Sequence, residues 1–174
     1  MRGNVLAAYE FYKKFIYNRE KEKLFKEYNF PTNGTVPPVD WEVFCAILFS
    51  ANKKEGGCDL DGYEIKSAKE GNSFEYQYHK KSGLEKIREE FLVKHIYISY
   101  NNRYKDVVVR AMPGEDLKEK LGVWEGTIEE NYQNGKQRCR KSLTYKFVCE
   151  RSEIIMEIQG GSLKGETDEK NPQD

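Results

Sequence analysis

The stretch Gly57-Cys58-Asp59-Leu60-Asp61-Gly62-Tyr63-Glu64-Ile65-Lys66-Ser67 constrains the fold of this chain more than any other. Asp-Gly between two short alternating runs is the strongest short-range signal for a two-residue hairpin turn, because glycine accepts the positive φ that such turns demand. With Asp61 and Gly62 as the loop, Leu60 faces Tyr63, Asp59 faces Glu64 and Cys58 faces Ile65. Side chains alternate between the faces of a strand. Cys58, Leu60, Tyr63 and Ile65 therefore share a face suited to a core, while Asp59, Glu64 and Lys66 share the other. Opposed residues on a ladder lie about 5 Å apart at Cβ, and like charges held there destabilise the pair. Two carboxylates and an ammonium gathered at that cost suit a divalent cation with a charged helper. Mg²⁺ in particular takes hard oxygens, one or two carboxylates together with substrate phosphate. The plain alternative is a solvated hairpin face on which Lys66 bridges the acids.

Around this stretch the chain alternates helical and strand-like segments. Val5, Tyr9, Tyr12, Phe15 and Ile16 recur at helical spacing, so Asn4 to Tyr28 reads as one helix, its second half dense in alternating charge. Pro31, Gly34, Pro37 and Pro38 break it into a loop. Asp40 is a suitable N-cap for a second helix to about Ala51 or Lys53, with Trp41, Phe44, Cys45, Leu48 and Phe49 as its buried stripe. Glu42 stands in its first turn, where the helix dipole favours a carboxylate. Ser73 to His79 alternates strictly, a half-buried strand with Phe74, Tyr76 and Tyr78 on one face and Glu75, Gln77 and His79 on the other. If it pairs beside Tyr63 to Ser67, one of those rows lies near the acids. His79 is then a possible base or phosphate donor, with Gln77 beside it; the alternative is a hydrogen-bonded histidine at a strand end. Leu84 to Lys94 reads as a helix. Ile96 to Tyr100 and Lys105 to Ala111 read as strands joined at Asn101-Asn102. Pro113 to Leu121 and Trp124 to Tyr132 are short helical candidates, Gln137 to Glu150 is strand-like, and Glu153 to Ile158 adds a last strand. The order implies α/β or α+β with a mixed sheet flanked by helices.

The chain has 174 residues, enough for one domain, placed at residues 1–165, with an acidic and flexible tail at 166–174. No apolar run is long enough to span a bilayer, and no apolar h-region follows Met1-Arg2. Cys45, Cys58, Cys139 and Cys149 lack CxxC spacing, so free thiols in a reducing cytoplasm are expected. Formal net charge is zero, which argues against non-specific DNA binding by bulk charge. Lys136 to Lys146, however, carries Lys136, Arg138, Arg140, Lys141 and Lys146 with no acid. That run is either a backbone-gripping surface or an edge strand guarded by charge.

Asp59-x4-Glu64-Ile65-Lys66 behind a Glu-bearing helix, followed by strand, helix and strand, resembles the PD-(D/E)xK nuclease superfamily over roughly Val39 to Ala111. The short spacing is similar to that of the mismatch-repair nicking endonuclease and of certain restriction enzymes. Cys58 stands where many members have proline. Size and layout resemble the small catalytic subunit of heterodimeric type IIS restriction endonucleases, in which a large subunit reads the DNA sequence. The resemblance implies a restriction-endonuclease-like core, a bacterial cytoplasmic setting, and hydrolysis of double-stranded DNA with one or two Mg²⁺ ions. It implies Asp59, Glu64 and the Ile65 carbonyl as metal ligands, and Glu42 as an additional ligand or support. Lys66 would be the catalytic lysine, and Lys69, Arg138, Arg140 and Lys141 would meet DNA. The rivals are a self-sufficient small restriction enzyme and a metal-free nucleic-acid- or protein-binding module. Lys66→Ala and Asp59→Ala are each expected to abolish cleavage.

Overall fold

In chain order the elements are α1 (Arg2–Phe11), a π-helical turn (Tyr12–Ile16), α2 (Arg19–Glu27), α3 (Pro38–Phe49), β1 (Tyr63–Lys69), β2 (Phe74–His79), α4 (Gly83–Glu90), β3 (Lys94–Tyr100), β4 (Val107–Pro113), a 3₁₀ turn (Gly114–Leu117), α5 (Lys118–Gln133), β5 (Arg138–Leu143), α6 (Tyr145–Arg151), β6 (Glu153–Gln159) and β7 (Ser162–Leu163). They come from a computed structural model that describes residues 2–32 and 34–165. The sheet is organised around β3, whose residues His95 to Ser99 are all buried, as expected of a strand covered on both faces. Strand order is β1-β3-β4-β6-β7, with β1 parallel to β3 and every other pairing antiparallel. Parallel neighbours require a long crossover, and here β2 and α4 supply it. The molecule is thus mixed α/β, with a mixed central sheet flanked by helices, as the alternation of segments predicted.

Alternation along β3 divides the core. Ile96 and Ile98 join Leu60 and Ile65 under α1, the π turn and α3, where Ala8, Tyr12, Trp41, Phe44 and Cys45 are buried. Tyr97 joins Tyr76, Tyr78, Ile87, Leu121, Ile128 and Leu143 on the opposite face. Each face of the sheet therefore has its own apolar cover, and burial of this kind contributes about 25 cal/mol per Å².

Several predicted elements are revised. The first helix does not run to Tyr28: it widens at Tyr12–Ile16, opens at Tyr17, and restarts at Arg19. Asn18 caps the restart, its side chain accepting the Lys21 N–H at 3.0 Å. Helix α3 begins at Pro38, a residue pre-set for a first helical position, so Asp40 lies in the first turn instead of capping it. Helix α4 stops at Glu90. The two short helices foreseen after Pro113 are the 3₁₀ turn and the single helix α5. The run 137–150 splits at Thr144, which ends β5 and caps α6 by accepting the Phe147 N–H at 3.2 Å. Strand β2 pairs with β5 in a separate two-stranded ribbon and not with β1.

Among the described residues no helix is long and apolar enough to cross a membrane. Cys45, Cys58 and Cys139 are buried, Cys149 is half-buried, and all four are free. The acidic tail at 166–174 lies outside the described residues.

Candidate active site

The Asp-Gly turn forms as read. Leu60 N–H donates to Tyr63 O at 3.0 Å and Tyr63 N–H to Leu60 O at 3.1 Å, with Gly62 at φ 81°. The ladder then stops: Gly56 and Gly57 both take positive φ and turn the chain so that Leu60 bridges Lys53 as well as Tyr63. Asp59 consequently does not stand opposite Glu64 on a ladder. It bends back, and its Oδ2 accepts the Ile65 N–H at 2.9 Å. Leu60, Tyr63 and Ile65 do share the core face, but Cys58 is buried outside both apolar clusters, its N–H donating to Glu89 Oε2 at 3.2 Å.

Register explains why Ile65 is available to side chains. Lys94 N–H donates to Gly62 O and Glu70 N–H to Tyr100 O. Even-numbered residues of β1 therefore bond to β3, and odd-numbered ones present their backbone to the free edge. There the Ile65 carbonyl accepts from Lys66 Nζ at 3.1 Å. The same ammonium forms a close ion pair with Glu64 Oε1, lies 3.5 Å from Asp59 Oδ2, and sits 5.1 Å from the centroid of the Tyr76 ring. Asp59, Glu64 and the Ile65 carbonyl, the three groups named from sequence as ligands, thus surround one cation.

A second lysine, unforeseen, completes the cluster. Lys86 Nζ on α4 lies 2.7 Å from Glu64 Oε1 and 3.9 Å from Glu90 Oε1. Glu64 and Glu90 are both fully buried. Burial alone would raise the Glu64 carboxyl, but Lys66 and Lys86 outweigh it and hold the group at about 2. Glu90 goes the other way, to about 8, pushed up by burial and by the Glu64 charge. Lys86 is held above the ordinary lysine value because Glu64 and Asp59 overcome its burial. Two ammoniums so balance two carboxylates, with Glu90 as a surplus acid.

The surrounding shell is a hydrogen-bonded chain. His95 Nε2 lies 2.8 Å from the Glu90 carbonyl, which can only accept, so that nitrogen carries the proton and Nδ1 accepts from Tyr76 O–H at 2.8 Å. Tyr97 O–H in turn donates to Tyr76 at 2.8 Å, and burial lowers His95 to about 4, keeping it neutral. Tyr78 O–H donates to Glu90 Oε2 at 2.6 Å. Strand β2 therefore reaches the site through its buried aromatic row.

A cleft of about 660 Å³ opens over the edge of β1, lined by Glu42, Asp59, Ile65, Lys66, Ser67, Lys69 and Glu75 among others. Glu42 is ion-paired with Lys53 at 2.6 Å. Glu64 lies beneath this wall, not on it. Gln77 and His79 are outside the cleft, exposed side by side on the outer face of the ribbon. Arg140 and Arg138 stand directly opposite them in register and are exposed, whereas Lys141 pairs with Tyr76 on the inner face and is half-buried. Sequence reading missed Lys86, Glu90, His95 and Tyr76. The spacing of Lys86 and Glu90, four apart on a helix, was the one available hint.

The donor set is compatible with Mg²⁺. Two carboxylates and a carbonyl already enclose a cation, and Glu64 Oε2 is buried with no hydrogen-bond partner. Among the described residues no group of three or more His, Cys, Asp or Glu is gathered to hold a metal ion, so a bound ion would draw the rest of its shell from water and phosphate, as Mg²⁺ usually does. No protein-family model matches this chain, and no curated protein matches it.

Proposed function

We propose that this chain is a Mg²⁺-dependent endonuclease of the PD-(D/E)xK type that hydrolyses a phosphodiester bond of double-stranded DNA. The observation that carries the reading is the convergence of Asp59 Oδ2, Glu64 Oε1 and the Ile65 carbonyl on a single positive charge at the floor of an open cleft. Asp59, Glu64 and the Ile65 carbonyl would hold the ion. When bound, Mg²⁺ supplies a Lewis acid that polarises the phosphate and lowers the pKa of a bound water. Lys66 lies beside those ligands and lines the cleft, so its ammonium can orient the attacking water and offset charge growing on the phosphate oxygens. Glu42, at the wall and held by Lys53, supports the site. Lys69 in the cleft and Arg138 and Arg140 on the outer face of the ribbon would take the DNA backbone.

We further propose that the chain is the smaller subunit, cutting one strand beside a larger subunit that reads the sequence. What supports this reading is the resemblance in size and layout to such small subunits; the described residues form a five-stranded sheet, a two-stranded ribbon and the helices packed on them. A supercoiled-plasmid assay in Mg²⁺, with wild type and Lys66→Ala, alone and beside the large-subunit protein, tests both statements. Linear product only with the partner, lost in Lys66→Ala, is expected. Cutting by wild type alone would make it a self-sufficient restriction enzyme. Cutting by a folded Lys66→Ala protein would remove Lys66 from the chemistry. Silence throughout would favour a metal-free binding module, a reading that the internal balance of Lys66 and Lys86 against Asp59 and Glu64 also supports.

A further inference from the structure

Lys86 and Glu90 lie outside the sequence motif, yet they share the floor of the site with Glu64. Lys86 Nζ is 2.7 Å from Glu64 Oε1 and 3.9 Å from Glu90 Oε1. Glu90 Oε2 is occupied by the Tyr78 hydroxyl, but Glu90 Oε1 is buried without a hydrogen-bond partner, as is Glu64 Oε2. A buried acceptor left open is costly, and one of these, Glu90 Oε1, lies just beyond hydrogen-bond reach of the Lys86 ammonium.

We propose that Lys86 is a positioning residue that holds Glu64 while no divalent cation is bound and shifts to Glu90 Oε1 when one takes Glu64. The proposal rests on the reading of Glu64 as a metal ligand. A divalent ion arriving at Glu64 meets two positive charges already there. Lys66 lines the cleft and can turn into it. Lys86 does not line the cleft, and its side chain is only 19% exposed. Left in place, its charge would oppose the ion at short range and low dielectric. Glu90, one turn further along α4, offers the unfilled oxygen. The flexible lysine stem has only to close the 3.9 Å gap while lengthening the 2.7 Å contact. No bond or proton changes hands when Glu90 is ionised.

Calorimetric titration of the whole chain with Ca²⁺ at pH 9 tests the exchange. Lys86→Met should bind Ca²⁺ roughly tenfold more tightly, because a competing charge is gone. Glu90→Gln should bind roughly tenfold more weakly, because the ammonium has no second carboxylate. The double variant should match Lys86→Met, since without the ammonium the acceptor is idle. Opposite shifts that simply add in the double variant would follow from the lost charges alone and would overturn the exchange. Affinities of both single variants within twofold of wild type would overturn the exchange, as would a weaker Lys86→Met. If Lys86→Met does not fold, Glu90→Gln decides alone, and an unchanged affinity overturns the proposal. Absence of any heat from wild type would overturn the metal reading itself, a failure distinct from the others.

Discussion

Glu64 and Glu90 are identical buried side chains whose carboxyl groups move in opposite directions: Lys66 and Lys86 pull Glu64 down, whereas burial and the Glu64 charge push Glu90 up. Glu64 is held at about 2, below the ordinary 4.5, so its share of stability is complete above that ordinary value and is lost as pH falls toward 2. Glu90 is raised to about 8, so its share is complete below 4.5 and drains away as pH climbs from there through 8. Urea unfolding at pH 5 and pH 9 should therefore show wild type losing stability relative to Glu90→Gln by more than about 1 kcal/mol across that interval. A constant difference would mean that Glu90 does not titrate in the fold. At this scale the sequence was informative about Asp59, Glu64 and Lys66, because turn chemistry and strand alternation are local. It was silent about the burial of Glu64, which depends on a helix twenty residues away.

At the scale of elements, α4 is the organiser. Consecutive turns of it supply Lys86 to Glu64, Glu89 to the Asp59 loop, and Glu90 to Tyr78. Glu89 accepts the Cys58 N–H and pairs with Lys54, which fastens residues 54–58 over the helix. Glu89→Ala should cost about 1 kcal/mol and speed hydrogen exchange at the Cys58 amide while leaving β3 amides protected. Unchanged exchange at Cys58 would show that the glycine turn alone holds the loop. The helix was legible as Leu84 to Lys94, but which of its charges turn inward was not, because only the tertiary fold decides that. Strand β2 was likewise legible and its partner was not. Pairing between β2 and β5 spans some sixty residues, and no local signal encodes it.

For the molecule as a whole, zero net charge conceals an uneven distribution. Asp59, Glu64 and Glu90 gather at and beneath the cleft, while Arg138 and Arg140 project from the outer face of the ribbon. If DNA runs along that face, removing both arginines should lower the slope of log affinity against log salt by roughly 1.8, about 0.9 for each phosphate no longer neutralised. Lys141→Ala, on the inner face, should change it far less. An unaltered slope in the double arginine variant would make the ribbon's charge a guard against aggregation. The mixed sheet and its helical covers could be read from the order of segments, whereas the division into sheet and ribbon could not.

The free edge of β1 has a consequence for how such proteins must be handled. An open strand edge is a template for pairing with another chain. Here Asp59 and Lys66 cap both backbone groups of Ile65, so that residue has no free donor or acceptor for a neighbour. The side chains proposed for the chemistry would thus also shield this part of the edge from a second copy. Asp59→Ala should lose activity and also self-associate, seen as rising light scattering with concentration, whereas Asp59→Asn keeps the acceptor and stays dispersed. Only the asparagine variant would then separate loss of chemistry from loss of solubility, and equal scattering by the two would show that the edge is protected by other means.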